Sequence, residues 1–317
     1  MKIMERKYVS KNGVVERTRY LVGDNAQPRG KRKKGNTTFR KQEANFNSAV
    51  RRVARILNCN YTHDNGLLLT LDYDAAGLEK LCGMAGLTPE ETAWAMGRRQ
   101  DRAGDWTTSG ETRGTGAESA CDLLGKLREA AEKQMGLYLR RIRRAYGDKI
   151  KYIAVTADID GETGELVRIH HHIPMAAGEI SWDMLQKQWR MGSVDIRRMR
   201  QQADYTPVAV YLMRQVRRIP DAKKYAVSRG MELPEISERE ILGNPEIKAP
   251  AGARVMERSA YSVESVAQYI RYVPRQRRGQ DGVQKHSGPA DAVPQAGEDL
   301  FYTGKLRRAA GDGKKED

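Results

Sequence analysis

The stretch Val167-Arg168-Ile169-His170-His171-His172-Ile173-Pro174-Met175 holds three of the five histidines of this 317-residue chain. Its β-branched and apolar residues predict a β-strand, on which successive side chains point to opposite faces. His170 and His172 therefore share one face, and His171 lies on the other. Two imidazoles on one rigid face are able to bind one metal ion, so we predict this pair as metal ligands. A chance polar cluster on a solvated strand is the alternative.

A second strand, Tyr152–Ile159, is predicted just before the histidine strand. The intervening Asp160–Gly164 is typical of a turn, so the two strands should form an antiparallel hairpin. Asp158 would then lie beside the histidines as a tentative third ligand. Carboxylate and imidazole ligands with open coordination positions suit Mg²⁺ or Mn²⁺ in phosphoryl chemistry rather than structural zinc. A surface carboxylate near the turn is the alternative for Asp158.

Downstream, Thr206–Arg217 has the apolar spacing of a helix, with a proline in its first turn. Tyr211 and Arg214 are three residues apart and share a face of this helix. A phenol is a poor nucleophile at its ordinary pKa near 10, but a neighbouring cation and a metal-polarised phosphate would help it. We predict Tyr211 as a catalytic nucleophile assisted by Arg214, with Tyr205 as the alternative nucleophile. A packing role is the alternative for Tyr211 taken alone.

The chain is strongly basic, with 56 Lys and Arg against 41 Asp and Glu and a net charge of +15. Most of the excess lies in residues 1–52, where the densest run is Lys31-Arg32-Lys33-Lys34. A positive excess of this size favours a polyanion such as nucleic acid, and its binding should weaken steeply with salt. We predict this run, with Arg217 and Arg218 after the tyrosine helix, as DNA-binding residues. A solvated tail is the alternative for the run.

Composition excludes several other classes of protein. Three cysteines without a CxxC pair give neither a disulfide framework nor a cysteine zinc site. No apolar stretch approaches the length of a membrane span, and no signal peptide is recognised, so we expect a cytoplasmic protein without a membrane partner.

Hydrophobic periodicity predicts an α+β fold, in which helices flank a central antiparallel sheet of about five strands. The sheet would include strands near 67–73, 150–158 and 166–175, and the strongest helix signal covers 117–146. The predicted domain organisation is a basic N-terminal arm at 1–40, a main domain at 41–235 with a possible insertion at 75–116, an irregular C-terminal extension at 236–278 containing a last helix near 262–272, and a disordered tail at 279–317.

These motifs, in this order, resemble those of the HUH-type rolling-circle replication initiators, or Rep endonucleases, of phages and integrated elements. The resemblance covers roughly residues 41–235. It implies that His170 and His172 bind the metal and that Tyr211 is the nucleophile. Two departures stand out, because Arg214 replaces the usual lysine and Asp158 stands near the place of the usual glutamate.

The resemblance also implies an activity. Such a protein is a site-specific single-strand DNA endonuclease and strand transferase, which nicks an origin, forms a 5′-phosphotyrosyl adduct and initiates rolling-circle replication. It would need Mg²⁺ or Mn²⁺ and, in a bacterial host cell, a helicase and a polymerase as partners. The alternatives are a single-strand transposase with the same chemistry and a non-catalytic basic nucleic-acid-binding protein.

Overall fold

The computed structural model describes residues 2–23, 38–61, 66–92, 95, 117–147, 150–176, 180–217, 223–243, 246–260, 267–275 and 301–302. Three predicted features lie outside these residues: the basic run Lys31–Lys34, the DNA-binding residue Arg218 and nearly all of the tail at 279–317. The fold is α+β and its sheets are antiparallel, as the sequence predicts.

Eleven strands and five helices have the following bounds within the described residues. The strands are β1 Lys2–Val9, β2 Val15–Val22, β3 Gly66–Asp72, β4 Lys151–Ile159, β5 Leu166–Ala176, β6 Val194–Met199, β7 Ala226–Val227, β8 Glu235–Ile241, β9 Arg254–Ala260, β10 Gln268–Val273 and β11 Phe301–Tyr302. The helices are α1 Phe39–Asn60, α2 Ala75–Met84, α3 Ala117–Tyr146, α4 Trp182–Gln188 and α5 Thr206–Arg214. Among the described helices, none combines the length and the apolar character that a membrane span requires.

The histidine strand β5 lies inside a six-stranded sheet with the order β11-β6-β3-β5-β4-β7, which we call the histidine sheet. Side chains of one face, such as Leu69 and Ile173, pack against α2, α3 and α4. Side chains of the other face, such as Leu68 and Val155, pack against α1 and α5. Each face of the sheet is therefore covered by helices, and α5, the predicted tyrosine helix, lies on the second face.

Residues of the predicted N-terminal arm and of the predicted C-terminal extension form a second sheet. Strands β8-β1-β2-β10-β9 pair antiparallel in that order, and we call them the terminal sheet. Residues 268–273 form strand β10, where a helix was predicted. β1 and β2 form a local hairpin, as do β9 and β10, whereas the pairings of β1 with β8 and of β2 with β10 span more than 200 residues of sequence. Local pattern can indicate such hairpins, but it does not indicate the two long-range pairings that join them into one sheet.

Buried ion pairs attach the terminal sheet to the rest of the molecule. Glu16 of β2 accepts hydrogen bonds from Arg55 of α1 at 2.7 Å and from the Tyr269 hydroxyl at 3.2 Å. Arg271 of β10 forms an ion pair with Asp204 at 3.1 Å, just before α5. Removing one partner from a buried pair leaves an uncompensated charge and typically costs about 3–5 kcal/mol. The terminal sheet is thus held against α1 mainly through polar contacts.

The segment 75–116, predicted as a possible insertion, begins with a helix that belongs to the main core. Leu78, Leu81 and Cys82 of α2 are buried in the same cluster as Leu71 of β3. Gly77 makes this packing possible, since a Cβ atom at that position would lie 1.8 Å from the Met191 carbonyl oxygen.

We therefore expect Gly77→Ala to destabilise the protein by roughly 3 kcal/mol, because the backbones of α2 and residue 191 would have to separate. Gly83→Ala is the matched control in the same helix, where an added Cβ meets nothing within 4 Å. Alanine is favoured over glycine inside a helix, so the control should gain about 0.5–1 kcal/mol. Urea denaturation followed by circular dichroism measures both effects. Equal stability of the two variants would contradict the close contact.

Candidate metal and tyrosine site

The imidazoles of His170 and His172 converge on the α5 face of the histidine sheet. Their Nε2 atoms are 3.1 Å apart, and the Oε1 atom of Gln215 lies 3.1 Å from Nε2 of His172. Gln215 directly follows α5, and its amide Nε2 donates a hydrogen bond to the Tyr211 carbonyl at 3.2 Å. This bond turns the amide oxygen towards the histidines. The sequence does not indicate Gln215, because it lies 43 residues after His172 and forms no local motif with the histidines.

The hydrogen-bond partners of each ring indicate which of its two nitrogens carries the proton. Nδ1 of His170 is 2.8 Å from the Arg168 carbonyl oxygen, which only accepts hydrogen bonds, so Nδ1 carries the proton. Nδ1 of His172 is 3.2 Å from the Thr70 hydroxyl, which can donate or accept, so this contact is compatible with either tautomer. The Gln215 amide oxygen only accepts, so without a cation Nε2 of His172 carries the proton and donates to it. Nε2 of His170 therefore presents a lone pair, and Nε2 of His172 would present one once its proton moves to Nδ1, where the Thr70 hydroxyl can accept it. Bonds of this kind commonly orient metal-binding histidines in proteins.

Burial keeps the His172 ring neutral. It lowers the pKa of His172 to about 3, with a further contribution from the neighbouring His170. A neutral imidazole is the form that binds metal ions, so protons do not compete for this nitrogen near neutral pH.

Two of the three separations among His170 Nε2, His172 Nε2 and Gln215 Oε1 match those of neighbouring ligand atoms around a divalent cation. An octahedral ion with bonds of about 2.1 Å places neighbouring ligand atoms about 3.0 Å apart, close to the two separations of 3.1 Å. The described residues contain no group of three or more His, Cys, Asp or Glu side chains arranged to hold a metal. The atoms that could hold a cation here are two imidazole nitrogens and one amide oxygen, without the carboxylate of Asp158.

The carboxylate of Asp158, the predicted third ligand, forms ion pairs with two arginines. Its buried carboxylate forms ion pairs with Arg128 of α3 at 3.0 Å and with Arg217 at 3.3 Å. The register of β4 shifts between Ala157 and Ile159, so the alternation of side chains is broken at Asp158, and its carboxylate meets arginines from α3 and from the segment after α5. Arg217 was predicted to contact DNA, but its side chain is instead directed to Asp158. The sequence does not reveal this register.

Another acidic residue does share the face of the histidines. Asp72 ends β3 and is paired across the sheet with His170, as Thr70 is with His172. Its carboxylate lies 3.8 Å from the Arg168 guanidinium. In the sequence, the feature that could indicate Asp72 is its position at the end of the predicted strand 67–72, beside the histidine strand.

The structure brings Tyr211, and not Tyr205, to the histidines. The half-buried ring of Tyr211 lies 5.5 Å from the His172 ring, measured between centroids. Tyr205 is 1% exposed, and its hydroxyl donates to the Arg200 carbonyl at 3.3 Å. Arg214, the predicted helper of the nucleophile, is exposed and passes beside Gly161 of the β4–β5 turn.

His171 fills the other face of β5 and serves the structure. Its Nε2 lies 2.9 Å from the Tyr73 hydroxyl, and its Nδ1 lies 3.1 Å from the Thr156 hydroxyl. The ring is fully buried, and burial lowers its pKa well below the ordinary value. Both ring nitrogens are therefore used within the protein, which leaves His171 no part in a metal site.

Comparison of the chain with protein-family models, with curated proteins and with solved structures finds no match. The geometry of the side chains therefore carries the functional argument.

The contact between Thr70 and His172 provides a test of the metal site. Thr70→Val removes the hydroxyl that orients His172, and we expect the dissociation constant for Mn²⁺, measured by isothermal titration calorimetry, to rise about tenfold. Thr156→Val is the matched control, because it removes the equivalent partner of His171 on the opposite face. It should lower the melting temperature but leave Mn²⁺ affinity unchanged. Equal Mn²⁺ affinities in the two variants would remove Thr70 from this role.

Proposed function

We propose that the protein is a metal-dependent single-strand DNA endonuclease and strand transferase that nicks an origin and initiates rolling-circle replication. The observation that carries the proposal is the convergence of His170 Nε2, His172 Nε2 and Gln215 Oε1, with the Tyr211 ring against His172. The net charge of +15 supports a polyanionic substrate.

The end of α5, which carries Tyr211 and leads into Gln215, is attached to the sheet that carries the histidines. The carbonyl of Gln215 accepts hydrogen bonds from the backbone N–H groups of Asp158 at 3.1 Å and Ile159 at 3.3 Å. The end of α5 is thereby attached to β4, beside the histidine strand. Nucleophilic displacement needs its groups fixed to within fractions of an ångström, and this attachment supplies that rigidity.

The proposed reaction exchanges one phosphodiester for another. The phenol oxygen of Tyr211 attacks the phosphorus atom and loses its proton to solvent, while the bond between phosphorus and the 3′ oxygen breaks. The 3′ oxygen gains a proton and becomes the primer end, and the 5′ phosphate stays on Tyr211. A divalent cation held by His170, His172 and Gln215 would supply Lewis-acid polarisation of the phosphate. The exposed guanidinium of Arg214 is proposed to contact the same phosphate.

The experiment uses oligonucleotides with an internal random segment, labelled at the 3′ end, incubated with the full chain and Mn²⁺ or Mg²⁺. We expect the label to migrate with the protein on a denaturing gel, because the 3′ fragment carries the 5′ phosphate. The same oligonucleotides labelled at the 5′ end should release a short free fragment, and EDTA should prevent both products. Binding without any cleavage, on this pool and on circular single-stranded DNA, would overturn the proposal and favour the non-catalytic binding protein.

Tyr211→Phe should abolish the covalent adduct, because the ring is kept and only the attacking oxygen is removed. Tyr205→Phe is the matched control and should retain the adduct, since the Tyr205 hydroxyl is engaged with Arg200 in the core. Melting temperatures verify that both variants are folded. Retention of the adduct by Tyr211→Phe together with its loss in Tyr205→Phe would reverse the assignment.

Substitutions of Gln215 test the amide as a ligand. Gln215→Leu should raise the Mn²⁺ concentration for half-maximal nicking by about tenfold or more, because one donor atom is lost. Gln215→Glu keeps an oxygen donor and adds a negative charge, so the Mn²⁺ requirement should fall to or below that of the unmodified protein. Both changes remove the hydrogen bond to the Tyr211 carbonyl, so a similar effect of both would assign Gln215 to helix positioning instead.

A further inference from the structure

The terminal sheet contains a cavity of about 390 Å³ that the proposed nuclease site does not use. The contacts of Glu16 and Tyr269 with α1 identify the face of this sheet that is turned towards α1. Arg17 follows Glu16 on β2 and points to the opposite face, where the cavity opens. The cavity is lined chiefly by Glu5, Lys7, Arg17, Glu238, Arg239 and Tyr272.

One buried carboxylate at this cavity holds three guanidinium groups. Glu5 is 2% exposed and accepts hydrogen bonds from Arg17 at 2.8 Å, from Arg19 at 2.9 Å and from Arg239 at 2.9 Å. Burial raises the pKa of Glu5, and the three arginines lower it by more, so the net shift is downward. Glu5 is therefore ionised and orients the three arginines.

The cations of the cavity exceed its anions. Lys7 has no ion-pair partner among the described residues, and the carboxylate of Glu238 is bound to Arg6 and Tyr20. Arg19 is 4% exposed, and its Nη1 atom has no hydrogen-bond partner in the described part of the chain. Among the lining residues Lys7, Arg17 and Arg239 are cationic, and Glu5 is the lining carboxylate that is not paired with Arg6. Glu5 neutralises part of this positive charge, and the remaining excess at the cavity favours an anionic ligand.

We propose that this cavity binds a phosphate group of a DNA strand and gives the protein a second DNA contact, separated from the histidine sheet by α1. The inference rests on the proposed function, which makes DNA the substrate. Guanidinium groups bind phosphate through paired N–H donors, and Arg239 and Lys7 are exposed enough to meet a strand.

The aromatic residue of the cavity indicates which part of the DNA is bound. Tyr272 is 4% exposed, so it offers little free ring surface on which a base could stack. A contact to phosphate alone does not depend on the DNA sequence and serves to position the DNA strand. A backbone contact therefore fits the cavity better than a free nucleotide does.

The test measures binding of a fluorescent single-stranded oligonucleotide to the full chain by anisotropy, in EDTA and at several salt concentrations. The double variant Lys7→Gln/Arg239→Gln should bind about tenfold more weakly and show a salt dependence reduced by about one phosphate contact. The matched control is Lys2→Gln/Arg258→Gln, which removes the same charge from exposed ion pairs of the same sheet. It should change affinity less than about twofold, as expected for a general loss of charge without a site.

Three outcomes would overturn the inference: unchanged affinity in the cavity variant, an equal loss in the control, or competition by deoxyadenosine monophosphate as strong as that by the oligonucleotide. The last outcome would assign the cavity to a free nucleotide. Melting temperatures verify that both double variants are folded. The binding assay contains EDTA and involves no cleavage. Absence of nicking by the unmodified protein would therefore overturn the proposed function without deciding this question.

Discussion

The register of β5 between its two neighbours is the constraint on which the site depends, and His171 enforces it. Its two ring nitrogens contact Tyr73, directly after β3, and Thr156 of β4, so one buried side chain connects three strands. A shift by one residue would bring His170 and His172 into the core under α3. Each imidazole left there without partners would cost about 1–3 kcal/mol. The middle histidine thus keeps the outer two on the face of Tyr211.

The same physical logic gives Asp158 a positioning role. Its carboxylate accepts the backbone N–H of Arg217 at 3.0 Å and forms ion pairs with the side chains of Arg217 and Arg128. Arg128 also donates to the Thr156 carbonyl at 3.1 Å. Asp158 therefore connects α3, β4 and the segment after α5, which includes Gln215. A carboxylate in this position holds the segment that carries Gln215 against β4.

Much of the molecule follows from local pattern. Periodicity over a few turns predicts α3 with its observed bounds of 117–146, and alternation predicts the histidine strand and the shared face of His170 and His172. The pairing register between distant strands does not follow from local pattern. Asp158 falls at an irregularity of β4, and the terminal sheet pairs strands from opposite ends of the chain. Gln215 is a ligand candidate because α5 ends at Arg214, which places the next side chain beside His172. The local sequence does not indicate that the helix ends at this residue.

The central claim is that His170, His172 and Gln215 hold a divalent cation beside a nucleophilic Tyr211. The most direct measurement is mass spectrometry of the nuclease-trimmed DNA adduct after trypsin digestion. Tyr205 and Tyr211 lie in one tryptic peptide, residues 201–214, so fragmentation within that peptide distinguishes the two tyrosines. The account predicts a nucleotide on Tyr211, formed only with Mn²⁺ or Mg²⁺ present. A nucleotide on Tyr205, or an adduct that forms equally well in EDTA, would contradict it.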